Sequence, residues 1–181
     1  MVDAFRRDLW LMQAAYVLIA LVIFFSRLLP LGVGIEAGGW PGPDLLLCLT
    51  LAWVTRRPDQ LPVLLIVAVY LVEDFLLMRP PGLWAAIVVL ATEFLRSRAA
   101  LTRELGFAME WLLVAAVMVA MLILNRGINA IAFLPQPGFG LAAVQTLGTI
   151  LCYPLMVGFS HALLSLRKPA TGEVDDMGRP L

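Results

Sequence analysis

The sequence predicts an all-α polytopic membrane protein of about six transmembrane helices, and three observations predict it. Hydrophobic residues make up 61% of the 181 positions and charged ones only 14%, against roughly 45–50% and about 25% in a soluble domain. The apolar residues fall in runs broken by Pro, Gly and Arg, and a bilayer-crossing helix needs about 20 of them, so little length remains for a soluble domain. The 13 basic and 13 acidic residues cancel overall but are distributed unevenly along the chain. A nucleic-acid binder is excluded, because phosphate recognition needs a surplus of Lys and Arg on one surface.

The apolar segments form one transmembrane domain over 1–166. The first span covers about 10–29, behind Arg6 and Arg7; its apolar stretch is too long for a signal peptide and lacks a small-x-small cleavage site. A Gly- and Pro-rich loop follows over 30–43. The second span, 44–54, ends at Arg56-Arg57-Pro58-Asp59, and the third, 61–77, ends at Met78-Arg79-Pro80-Pro81-Gly82, where two prolines block helix continuation. The fourth covers 83–95, then comes a basic linker over 96–106, a fifth span over 107–124, a semi-apolar loop over 125–140 and a sixth span over 141–166. The tail, 167–181, is polar and reads as flexible.

Six spans place both termini on one side. Arg6, Arg7, Arg56, Arg57, Arg96, Arg98, Arg103, Arg167, Lys168 and Arg179 lie on that side, and only Arg27, Arg79 and Arg126 on the other. This bias puts both termini in the cytoplasm. Trp10, Trp53 and Trp111 then fall near inner ends and Trp40 and Trp84 near outer ends, the headgroup levels that Trp prefers. The 11-residue second segment rises only about 16 Å against a hydrocarbon core of about 30 Å. Either the bilayer thins around it, or the stretch over 32–43 dips in as shielded irregular backbone.

Ionisable residues at membrane depth are the default functional candidates. Asp44 opens the second helix as an N-cap, or pairs with a basic residue of a partner or lines a cavity. Glu73 and Asp74, with Arg27 and Arg79 near the same end, suit an ion-pair network that fixes helix register, or a proton or cation path. Glu93 and Arg96 form an i,i+3 pair. Glu110 and His161 are placed to meet across helices. Ala116 with Ala120 and Gly158 with Ala162 are small-xxx-small pairs that allow close helix approach. Cys48 and Cys152 sit in apolar runs without metal-ligand spacing. Gly158-Phe159-Ser160-His161 departs from a serine-protease Gly-x-Ser-Gly at its last position. No metalloprotease, P-loop or dinucleotide motif is present. The expectation is therefore no enzyme, no cofactor and no metal.

The order Pro43-Asp44-Leu45-Leu46-Leu47, Trp53, Arg56-Arg57-Pro58, Glu73-Asp74 and Pro81-Gly82-Leu83 resembles the rod shape-determining protein family MreD. The specific motifs lie over about 43–96, and the C-terminal half matches only as apolar spans. Val72-Glu73 stands where the family has Gly-Leu before its Asp. The resemblance implies a non-enzymatic scaffold of the bacterial cell-elongation machinery in the inner membrane. It also implies a fold similar to the substrate-capture subunits of vitamin transporters. It gives MreC as direct partner, and through it the elongation transpeptidase, RodA and MreB. On this reading Pro43, Asp44, Glu73, Asp74, Pro81 and Gly82 shape the outer side near the partner surface. Arg56, Arg57, Arg96 and Arg98 set topology and touch cytoplasmic partners or anionic lipid. The alternative is a small-molecule capture subunit of a transporter; the scarcity of polar residues within the spans argues for the scaffold.

Overall fold

The computed structural model describes residues 2–28, 41–99 and 106–164. They form six helices, α1 (Val2–Leu28), α2 (Leu45–Arg56), α3 (Val63–Leu76), α4 (Leu83–Ser97), α5 (Phe107–Ile131) and α6 (Phe139–Leu164), and no strand is found among them. Three stretches, Arg6–Arg27, Phe107–Ile131 and Phe139–Ala162, are long and apolar enough to cross a membrane. At 12, 14 and 15 residues, α2, α3 and α4 rise roughly 18–22 Å, short of a full hydrocarbon core. The expected re-entrant stretch over 32–43 falls largely outside the described residues, as do Trp40, Arg103 and the tail.

The shortest helix is the core of the fold. Every residue of α2 from Leu46 to Arg56 is buried, because the other helices stand around it as an open ring in the order α1, α3, α4, α5, α6. Neighbours in the ring pack pairwise, and α2 packs most extensively on α6, then on α4 and α1. A helix that is apolar all round needs such an enclosure. Trp53, near the end of α2, shares this enclosure. It is fully buried, donates from Nε1 to Gln60 Oε1 at 3.0 Å and meets the Tyr16 ring edge-on at 5.7 Å.

α1 shows how one stripe of side chains docks a long helix. Tyr16, Ala20, Ile23 and Phe24 are its buried residues, at the i, i+4, i+7, i+8 spacing of a single face. Polar groups on the same side clasp it at three levels. Gln13 donates to Gln60 O, the Tyr16 hydroxyl bonds Thr50 Oγ1 at 2.9 Å, and Arg27 reaches two carboxylates at the far end.

Two helix boundaries differ from those read in the sequence. α1 begins at Val2, well before 10, and α5 continues to Ile131, past 124. The polar run from Asn125 to Asn129 does not stop α5, since Asn129 Nδ2 donates to Asn125 Oδ1 one turn earlier. α3 and α5 end alike: Arg79 N–H donates to Asp74 O and Leu134 N–H to Asn129 O, each at 2.9 Å. These six-to-one bonds are Schellman closures. They place Met78 (φ 52°) and Phe133 (φ 54°) in the left-handed region that usually takes glycine.

Candidate functional site

Charged and hydroxyl groups meet α2 at its start, middle and end. At the start, Asp44 caps the helix: its Oδ1 accepts from Leu47 N–H at 3.0 Å, and its own N–H donates to Thr149 Oγ1 at 2.9 Å. Arg27, from the end of α1, bridges Asp44 Oδ1 at 3.0 Å and Glu73 Oε1 at 2.8 Å. Glu73 is 1% exposed, so the guanidinium offsets the desolvation of two carboxylates at once and ties α1, α2 and α3 together. Of the network expected of Glu73 and Asp74 with Arg27 and Arg79, the Arg27–Glu73 link is present with Asp44 joined to it, while Asp74 and Arg79 stand outside any ion pair among the described residues.

Asp74 is fully buried but takes no part in that bridge. Its Oδ2 accepts from the backbone N–H groups of Gly82 at 3.0 Å and Ala85 at 3.4 Å, two of the free donors at the start of α4. Gly82 carries the sharp turn into that helix at φ +86°, a conformation that costs a side-chain-bearing residue roughly 1–2 kcal/mol. Pro80 and Pro81 precede it; Leu83 N–H donates to Pro80 O at 3.3 Å. Pro43 stands just before Asp44, within 3.9 Å of where a Cβ on Gly148 would lie.

In the middle of α2, the hydroxyls of Tyr16 and Tyr70 both bond Thr50 Oγ1, at 2.9 and 3.0 Å, and Thr50 donates to Leu46 O. At the end of α2, Arg56 pairs with Glu110 of α5 at 2.8 Å, and the Tyr153 hydroxyl of α6 donates to the same Glu110 Oε1 at 3.0 Å. Sequence reasoning assigned Arg56 to topology and missed this pair. The signal available was the shortness of α2, which leaves Arg56 within the bundle, and Glu110 is the only carboxylate in 107–131. His161 lies exposed on α6.

The remaining arginines are nearer the surface. Arg57 is half-buried, and its backbone N–H closes α2 on Trp53 O at 2.7 Å. Arg96 donates to Leu61 O and pairs with Glu93 at 3.3 Å, which holds the turn between α2 and α3 against α4. Arg98 lies 5.3 Å over the Phe94 ring. Cys48 and Cys152 are free thiols, and Cys48 Sγ donates to Thr149 O.

Beside Asp44 opens a cavity of about 880 Å³. It is lined by the last turns of α5, the first turns of α6 and α4, and the chain from Met78 to Pro80. Asn125, Asn129, Gln136, Gln145, Thr146 and Thr149 converge on it, since the polar turns at the ends of α5 and α6 stack side by side. A second, shallower groove of about 310 Å³ runs between α4 and α5 and is lined by apolar residues, among them Leu90, Ala91, Phe94, Ala116, Ala120 and Leu124. Ala116 and Ala120 are exposed in it, as are Gly158 and Ala162 on α6, so neither small-residue pair is covered by packing among the described residues.

The chain matches no protein-family model, no curated protein and no solved structure.

Proposed function

We propose that this chain is a non-enzymatic scaffold of the bacterial cell-elongation machinery in the inner membrane, holding MreC by a contact within the bilayer. The observation that carries this reading is the groove between α4 and α5, where Ala91, Ala116 and Ala120 leave room for the backbone of another helix. In lipid, association of helices depends on such close packing and not on hydrophobic driving force. The resemblance of the residues over 43–96 to the MreD family supports the same reading. Asp44, Glu73, Asp74 and Gly82 hold the bundle in one register, which suits a protein that works by presenting a fixed surface. All six helices cross the bilayer in this reading, with both termini cytoplasmic and Asp44 on the periplasmic side. MreC then links the chain to the elongation transpeptidase, RodA and MreB.

Co-expression with MreC and purification in mild detergent tests it. Stoichiometric co-elution is expected from the wild type. Ala116→Leu with Ala120→Leu, which fills the groove, should abolish it while leaving the chain monodisperse. Wild-type chain that elutes free of MreC overturns the reading.

A second reading, a small-molecule capture subunit, is favoured by the cavity beside Asp44, whose volume falls in the roughly 300–1,000 Å³ range of ligand pockets. Mass spectrometry of the purified protein tests it through a co-purifying ligand.

A further inference from the structure

The cavity beside Asp44 has a chemistry that the scaffold reading does not use. Two guanidiniums line it. Arg79 lies 5.7 Å over the Trp84 ring and Arg126 lies 5.4 Å over the Phe139 ring, so both are held against aromatic faces. Arg126 also donates to Pro137 O at 3.1 Å. Neither is in a salt bridge among the described residues, whose ion pairs use Arg27, Arg56 and Arg96. Trp84, on the same lining, has a buried Nε1–H with no acceptor among those residues. Two guanidiniums held on the lining of one space, neither in a salt bridge among the described residues, mark a place for an oxyanion.

The floor has the opposite character. Asp44, Leu47, Met118 and Thr149 are its least exposed residues. Asp44 Oδ1 is taken by Arg27 and by Leu47 N–H, and Oδ2 has no hydrogen bond among the described residues. Leu83 and Leu122 line the space as apolar wall.

We propose that this cavity binds a phosphate-bearing ligand whose other end carries an N–H or O–H donor. The phosphate oxygens take the Arg79 and Arg126 forks, and the donor meets Asp44 Oδ2. Two guanidinium forks match the oxygen set of a phosphate better than the two oxygens of a carboxylate. The inference rests on the second reading above in needing a ligand in this cavity, and is indifferent to transport. The same chemistry is offered by a phosphoethanolamine lipid headgroup from the bilayer and by a soluble phosphate ester.

The test uses the full chain in nanodiscs of phosphatidylcholine, whose headgroup has the phosphate but no donor. In one arm O-phosphoethanolamine is titrated in solution; in the other the nanodiscs are doped with phosphatidylethanolamine, and retention is read by native mass spectrometry. One equivalent of either probe is expected on the wild type, and the arm that shows it identifies the source. Arg79→Ala with Arg126→Ala should weaken retention at least about tenfold. Arg79→Lys with Arg126→Lys, which keeps both charges but loses the forks, should weaken it in the same direction and serves if the alanine variant does not fold. Retention equal to wild type in a folded arginine variant overturns the phosphate assignment. Wild type that retains neither probe but carries a ligand without phosphate overturns the assignment alone; wild type that carries nothing overturns the ligand-site reading as well.

Discussion

Trp111 on α5 donates its indole N–H to the backbone carbonyl of Ile150 at 2.9 Å, and that carbonyl is the one Pro154 leaves without its helical donor. Pro154 lies inside α6 and has no N–H to return to the residue four positions earlier. A side chain from the neighbouring helix thus supplies the bond that the proline removes, in a setting where an unpaired carbonyl is costly.

Trp111→Phe should therefore destabilise the protein by about 1–2 kcal/mol beyond the loss of ring area. In a Pro154→Ala background the carbonyl regains its helical donor, and the same substitution should cost less. Thermal or SDS unfolding of the four proteins in detergent gives the coupling; identical costs in both backgrounds would show that the indole bond contributes nothing.

The Arg56–Glu110 pair, with side chains 8% and 1% exposed, should respond as a buried ion pair. Removing one partner, as in Glu110→Ala, should cost roughly 3–5 kcal/mol because the other charge is left in the bundle. Arg57→Ala, one position further and outside any ion pair among the described residues, should stay within about 0.5 kcal/mol. Similar unfolding midpoints for the two variants would contradict the pairing.

Asp74 acts on the start of α4 through two backbone N–H groups. Asp74→Ala should cost about 1–2 kcal/mol, as loss of a helix cap does. Asp74→Asn, which keeps an acceptor but loses the charge that favours a helix N-terminus, should cost less. Under the proposed role in cell elongation, Asp74→Asn should still impair shape more than the same change at Asp175 or Asp176 in the tail. Equal tolerance would make Asp74 dispensable to function.

Met78 and Phe133 sit at positive φ with 93% and 95% of their surface exposed. Within the chain the side chains gain little there, so Phe133→Gly or Met78→Gly should stabilise the isolated protein by about 1 kcal/mol. A lower unfolding midpoint in detergent would show that these side chains hold the chain through contacts with amphiphile.

The sequence is most legible where composition alone decides. Apolar runs bounded by Arg-Arg-Pro and Pro-Pro-Gly place α2, α3 and α4 to within a few residues, and the Asp44 cap follows from its position after Pro43. The link from Arg27 to Glu73 was expected as a class of contact, because carboxylates inside an apolar segment need a cation. Pairings set by three-dimensional order were not legible. Nothing in the local sequence says that Arg56 meets Glu110 and Tyr153, or that Trp111 answers Pro154. The polar residues of 125–149 read as a loop and a sparse helix face. They become a cavity lining only because α5 runs on to Ile131 and brings Asn125 and Asn129 opposite Gln145 and Thr149.

α2 is wrapped by protein from Leu46 to Arg56, so its leucines answer to neighbouring helices and not to acyl chains. Changes in bilayer thickness or lipid composition act on α1, α5 and α6, whose outer faces carry the exposed Leu, Phe and Ile side chains. The axle around which they stand is insulated from those changes. Its two ends are anchored by Arg27 with Asp44 and by Arg56 with Glu110, so the separation between the two polar levels of the molecule is set by twelve residues of helix and not by the membrane that surrounds it.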